Sequence, residues 1–283
     1  MKRFVKIYTY WLLGILLFTG CDDYLKEDSG DLLIPGKVEE FLPMLYREGF
    51  PRNFNDEVAW LYLMTDDVEM GQLELDPEDE ANDTRDKNSS DAFNVGEGEE
   101  PYKWEREIKS YADNFWERRY GNILACNLVI DALPEMEYVE ADSGNYNFLA
   151  AQAYALRAYN YWCLVNSYAL PWSKENLDKP GVIIRMEPQI NISPRGRSSI
   201  REVYDLINED EKAEKYINIA TFDGNIHRLS EPAILLLASR IALFQENWDE
   251  VIRTGKLFLA QNSVILNLND QDTTLFGTEK GLS

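Results

Sequence analysis

Residues 116–127 read Trp116-Glu117-Arg118-Arg119-Tyr120-Gly121-Asn122-Ile123-Leu124-Ala125-Cys126-Asn127. In this run and just beyond it, Trp116, Tyr120, Ile123, Asn127 and Ile130 recur at alternating steps of four and three. One face of an α-helix has that period, whereas a half-buried strand alternates every second residue. The helix is expected to stop at Leu133-Pro134, because the residue before a proline is pushed out of helical geometry.

Outward from this stretch the signals stay helical. A second helix is predicted from about Phe148 to Tyr168, with Ala151, Ala155, Ala158, Trp162 and Val165 on one stripe. Its alanines permit close approach of a neighbour, and Leu170-Pro171 closes it. A third opens on the capping box Ser199-Ile200-Arg201-Glu202, in which serine and glutamate satisfy free N–H groups reciprocally. Its apolar face takes Val203 and Ile207, continuing to Ala213 and Ile217. A fourth opens at Ser230 with Pro232 in its first turn and carries Ile234, Leu237, Ile241 and Phe244. Glu246-Asn247 makes a turn into a fifth, with Trp248, Val251, Ile252 and Phe258. Another helix is expected around Val38–Tyr46. The fold expected is all-α: helical hairpins over about 113–262 that resemble tetratricopeptide pairs, without a strict repeat, joined by long irregular loops. Trp116, Trp162 and Trp248 lie on regular stripes and are expected in the core. Arg157, mid-helix beside alanines, is expected to pair with a carboxylate inside the bundle.

The chain begins Met1-Lys2-Arg3-Phe4-Val5-Lys6, with no acid before position 22, and continues into a short apolar run over 10–18. That run is shorter than the roughly 20 apolar residues that cross a bilayer; a basic start, short apolar run and small residues before a cut mark an export signal. Leu17-Phe18-Thr19-Gly20-Cys21 resembles the lipobox of bacterial lipoproteins, so residues 1–20 are read as the signal and Cys21 as the lipidated first residue. Diacylation would anchor the chain without a spanning helix, since stable anchoring takes more than one acyl chain.

Removing 1–20 leaves 25 basic against 50 acidic residues, a net charge of −25. Such a chain repels nucleic acid, whose binding depends on Lys and Arg neutralising phosphates; a neutral sugar is compatible with it. Cys126 and Cys163 sit in apolar helical patterns and read as two buried thiols. Acids crowd 66–86, and a loop of this length inside a domain is functional or disordered; residues 74–91 read as a solvated acidic excursion. Catalytic signs are missing. His227 is the one histidine, and no HExxH, GxSxG, CxxC or phosphate-cradling glycine loop occurs. Two carboxylates at glycosidase spacing could hide among 50 acids, so a hydrolase stays a distant third reading. No metal, cofactor or catalytic residue is expected.

Four pieces of sequence together resemble the SusD/RagB family, surface lipoproteins of Bacteroidetes that capture nutrients, mostly glycans. They are Trp116–Asn127; Leu156-Arg157-Ala158-Tyr159-Asn160-Tyr161-Trp162-Cys163-Leu164-Val165 with Tyr168 and Pro171; Ser198–Asp210; and residues 233–252, ending in Asn247-Trp248-Asp249. Residues 21–283 then correspond to the N-terminal portion of such a protein, with the family's C-terminal half absent. The resemblance implies a lid-like lipoprotein that sits over a SusC-like TonB-dependent outer-membrane transporter and presents an oligosaccharide or other nutrient to it. Asp22-Asp23 behind the cysteine fit the surface-export signal of such lipoproteins. Sugar binding needs aromatic faces with polar groups at their edges. The candidates are Trp104, Tyr102 and Phe93 as platforms, with Asp66 or Asp67 as hydroxyl acceptors; core packing of these rings is an equal alternative. The competing function is a structural helical scaffold, or a non-functional fragment, that binds no ligand.

Overall fold

The computed structural model describes residues 37–51, 64–66, 100–106, 114–136, 138, 140–190, 193–222, 224–225 and 227–264. The export signal, Cys21, Asp22, Asp23, Asp67 and Phe93 lie outside the described residues. The helices are α1 (Val38–Glu48), α2 (Phe115–Ala132), α3 (Ser143–Tyr168), α4 (Ile200–Glu209), α5 (Lys212–Ile217), α6 (Glu231–Phe244) and α7 (Trp248–Gln261). Among the described residues there is no strand, only an isolated antiparallel bridge between Pro180 and Ser199. No described helix is long and apolar enough to cross a membrane.

Helix α3 is the centre, packed against α1, α2, α4, α5 and α6. Its sequence explains this. Ala150, Ala151, Ala153, Ala155 and Ala158 are all buried, on more than one side, so neighbours approach from several directions. On one side Leu149, Ala153 and Leu156 meet Phe41 and Leu45 of α1 and Cys126 and Val129 of α2. On another, Tyr161, Leu164 and Val165 meet Ile200, Val203 and Ile207 of α4. On a third, Phe148, Ala151 and Ala155 meet Ala213, Ile217 and Ile234.

Helix α2 departs from the expected stripe. Ile123 and Asn127 are buried, but Trp116, Tyr120 and Ile130 are only half-buried. The deep face is Phe115, Arg119, Asn122, Cys126 and Val129, about one residue's rotation away. Its two polar members hid it from a hydrophobicity pattern. Arg119 is fully buried, donates from Nη1 to Asn160 Oδ1 at 3.1 Å, and lies 4.7 Å from the Phe115 ring centroid. Nor does the chain leave helical geometry at Leu133: it tightens into a 3-10 turn, Leu133–Glu135, with Pro134 where its missing N–H costs nothing.

Ser199 and Glu202 form the predicted capping box, Ser199 Oγ accepting from the Glu202 amide and the glutamate accepting from the Ser199 amide. The helix it opens does not run on to Ile217. It breaks at Asp210, because that carboxylate turns inward to Arg157. Arg157 donates from Nε and Nη2 at 2.8 and 2.7 Å to the two Asp210 oxygens, and from Nη1 to Asn127 Oδ1 at 2.9 Å. One buried polar node thus ties α2, α3 and the end of α4, with the carboxylate partner expected for Arg157.

Asn247 begins α7 after a turn in which Glu246 takes φ 55°. Asn247 donates its amide to Ala242 and Glu246 to Leu243, a Schellman closure of α6. Trp248 is not a core residue: it is 58% exposed, as Ile252 and Leu259 are more than half exposed, and only Thr254 of α7 is buried. The apolar residues of α7 spread over two faces, and α6 covers one. Phe244 likewise leans outward, meeting the half-buried Trp162 edge-on at 5.0 Å. Cys126 and Cys163 form no disulfide; Cys126 is buried, but Cys163 is only half-buried, against the expectation for it.

Arg253 of α7 holds α5 by paired bonds to Glu214 at 2.8 and 2.6 Å, and also bonds Glu250. Beside it, burial and then Glu250 push the Glu211 carboxyl up to about 7. The folded chain keeps a proton there that the unfolded chain releases near 4.5, so this group's stabilising contribution is lost as pH rises from about 4.5 through about 7. Glu211→Gln is expected to flatten the wild-type decline in denaturant stability between about pH 5 and 8, by about 1–2 kcal/mol after screening of a partly exposed group. Parallel wild-type and variant profiles would contradict it.

Candidate functional site

Two features stand apart from the packing of the bundle. The first is Trp104. Residues 100–102 form one helical turn, closed by bonds from the Trp104 amide to the Pro101 carbonyl at 3.0 Å and from the Glu105 amide to the Glu100 carbonyl at 3.0 Å. This pair is a Schellman closure, and the residue in its left-handed position is normally glycine. Here it is Trp104, with φ 55° and 67% exposure. A large ring is therefore held out in solvent on a backbone that costs an L-residue about 1 kcal/mol. Tyr102, two residues earlier, is half-buried, and Asp66 is exposed. No hydrogen bond or ring contact joins Asp66 to either aromatic residue among the described residues.

The second is a cleft of about 440 Å³ between α2 and the segment 183–190. Trp116, Tyr120, Ile123 and Leu124 supply an apolar wall, and Glu117, Arg185, Glu187 and Gln189 supply polar groups. Both its size and its mixture suit small-ligand sites, which run from roughly 300 to 1,000 Å³. Three side chains fasten the far wall to the helices. Tyr120 donates its hydroxyl to the Ile183 carbonyl at 2.7 Å. Asn127 Nδ2 donates to the carbonyls of Arg185 and Glu187 at 2.9 and 3.3 Å. The Tyr161 hydroxyl donates to the Arg185 carbonyl and accepts from the Arg185 amide, both at 2.8 Å.

The electrostatics keep these groups in fixed states. Burial pushes the Tyr120 hydroxyl up to about 12, so it is a neutral donor at any physiological pH. The Glu187 carboxyl is held below its usual range by its own backbone amide first and by Arg195 next. Arg185 donates to the Ser193 carbonyl at 3.1 Å. Among the described residues no cluster of three or more His, Cys, Asp or Glu is placed to hold a metal. The exposed His227 has its amide bonded to Asn225 Oδ1 at 2.9 Å. The arrangement offers ring faces, amides and charges of both signs, groups that can match the apolar faces and hydroxyls of a sugar.

The cleft wall was not among the sequence candidates, yet a signal for it existed. Ile183, Arg185, Glu187 and Gln189 all line the cleft, while Val182 and Ile184 pack into the core. That alternation is the period of extended backbone, whose successive side chains point to opposite sides.

A family described as starch-binding and associating with the outer membrane, SusD-like, matches residues 50–243. A SusD-like protein of Formosa agariphila is 26% identical over 158 residues, 54% of this chain and 27% of that protein. A SusD superfamily protein of Bacteroides fragilis shares the fold with a TM-score of 0.59 at 20% identity, over 87% of this chain and 53% of that one. A laminarin-binding SusD-like protein gives 0.51 at 19% identity, over 77% of this chain and 41% of that one. The chain thus spans 27% of the curated relative's length and about half of these solved structures. With a match over more than half of its residues, the chain belongs to the SusD-like family.

Proposed function

We propose that the protein is a cell-surface glycan- or nutrient-binding lipoprotein, anchored to the outer membrane through Cys21, that delivers its ligand to a SusC-like TonB-dependent transporter. Family membership supports the class, and the observation that carries ligand binding is Trp104. A tryptophan 67% exposed on a left-handed backbone is a cost to the fold, and such costs gather at functional positions. Its face covers the apolar side of a pyranose; Tyr102, Phe93, Asp66 and Asp67 complete the proposed platform and its hydroxyl acceptors. No catalytic step is assigned to it.

Affinity electrophoresis of wild type and Trp104→Ala against a panel of soluble glycans tests the binding. Retention of wild type on at least one glycan, lost in the variant, is expected; equal retention would remove Trp104 from the site. Pull-down of the membrane-extracted protein is expected to bring a TonB-dependent transporter with it. Its absence would favour a scaffold without transport partner.

A further inference from the structure

We propose that the α2 cleft continues over the helix at Gly121 into a second groove, and that the two together seat an extended, uncharged glycan chain. This rests on the glycan-binding reading above and adds what shape of glycan is taken.

The second groove, about 530 Å³, lies on the opposite flank of α2, between Arg118, Asn122 and Leu128 of that helix and Met44, Arg47 and Phe50 at α1. Both clefts are bounded by Gly121 and Leu124. Glu117, Gly121, Leu124 and Leu128 follow one another at helical spacing as the outward ridge of α2. At Gly121 the ridge falls to bare backbone.

Nothing in the packing asks for glycine there. Among the described residues, a Cβ at Gly121 would meet no atom within 4 Å, and the backbone is not left-handed. Glycine is also a poor helix former in a helix interior. What its missing side chain provides is a gap through which a ligand can pass close to the helix. With side chains, a helix is on the order of 10 Å across, more than one pyranose ring spans. A monosaccharide would fill one flank only, whereas a linear chain can occupy both.

The chemistry of the walls selects the chain. One flank carries the rings of Trp116 and Tyr120 and the Gln189 amide, the other Arg118 and the Arg47–Glu48 pair at 2.8 Å. Amides and charges of both signs match hydroxyls, which donate and accept. A polyanionic glycan would meet Glu48, Glu117 and a chain whose net charge beyond residue 20 is −25.

The test is calorimetric titration of wild type, Gly121→Ala, Gly121→Leu and Trp104→Gly with α-1,4- and β-1,3-linked gluco-oligosaccharides, from disaccharide to heptasaccharide. Wild-type affinity is expected to climb about tenfold or more with length. Gly121→Leu should lose that gain for the heptasaccharide, with Gly121→Ala between. Melting of Gly121→Leu at or above wild type confirms that the helix is intact. If Gly121→Leu holds the heptasaccharide as wild type does, or affinity ignores length, the groove is refuted. The glycan-binding reading then still stands where Trp104→Gly loses binding. Failure of wild type to bind either series overturns the groove, while the wider glycan panel with Trp104→Ala decides the binding reading.

Discussion

Trp104→Gly is expected to make the protein more stable and a poorer binder at once. The left-handed position at which Trp104 sits suits glycine, so the replacement should raise unfolding free energy by about 0.5–1 kcal/mol. Removing the ring takes away on the order of 100 Å² of ligand-covered surface at about 25 cal/mol per Å², about 2–3 kcal/mol. That is a fall in glycan affinity of about 30- to 150-fold. The opposite signs decide the question that residue type alone leaves open. Were Trp104 a core ring, its loss would destabilise by about 3–5 kcal/mol. Denaturant melts and calorimetry on one sample measure both quantities; a large drop in stability would return Trp104 to the core. Glu246→Gly is the companion control: the same backbone relief at φ 55°, with glycan affinity unchanged.

Arg157→Met is expected to cost about 3–5 kcal/mol, because it strands the Asp210 carboxylate in the interior. Its side chain and that of Asp210 are 4% and 0% exposed, so solvent cannot take over either role. For a chain of this size the melting temperature should drop on the order of 10 °C. Asp210→Leu alone should be comparably damaging. Combining the two should recover much of the loss, since an apolar pair in place of a buried ion pair is often neutral or better. Asn127 would still have its bonds to the Arg185 and Glu187 carbonyls. A double variant as unstable as the sum of the singles would show that the pair is not coupled.

Where a structural cause is local, it is legible in the residues. The caps at Ser199 and Ser230 and the turn at Glu246-Asn247 depend on a few neighbouring side chains, and each appears where the pattern predicts it. Arg157 was legible because a guanidinium among alanines has to find a carboxylate. The buried face of α2 was not, since Arg119 and Asn122 read as solvent-facing until Asn160, Phe115 and Tyr159 are brought to them by the fold. Trp248 failed for the converse reason: a hydrophobic stripe says that a face wants cover, and not that a neighbour supplies it. For the candidate site, the sequence left Trp104 open between an aromatic platform and core packing, and the structure shows the ring 67% exposed. The 183–189 wall went unseen because its alternation is short and lies between helices.

Fastening that wall through main-chain atoms separates attachment from recognition. Tyr120, Asn127 and Tyr161 grip carbonyls and an amide, groups that every residue type other than proline offers. Exchanging the side chains at 183, 185 and 187 therefore leaves these main-chain bonds in place, the Arg185–Ser193 and Glu187–Arg195 contacts being the side-chain ties that would go. In the proposed glycan groove, ligand preference could drift by single substitutions while the helical frame stays under its own, separate constraint.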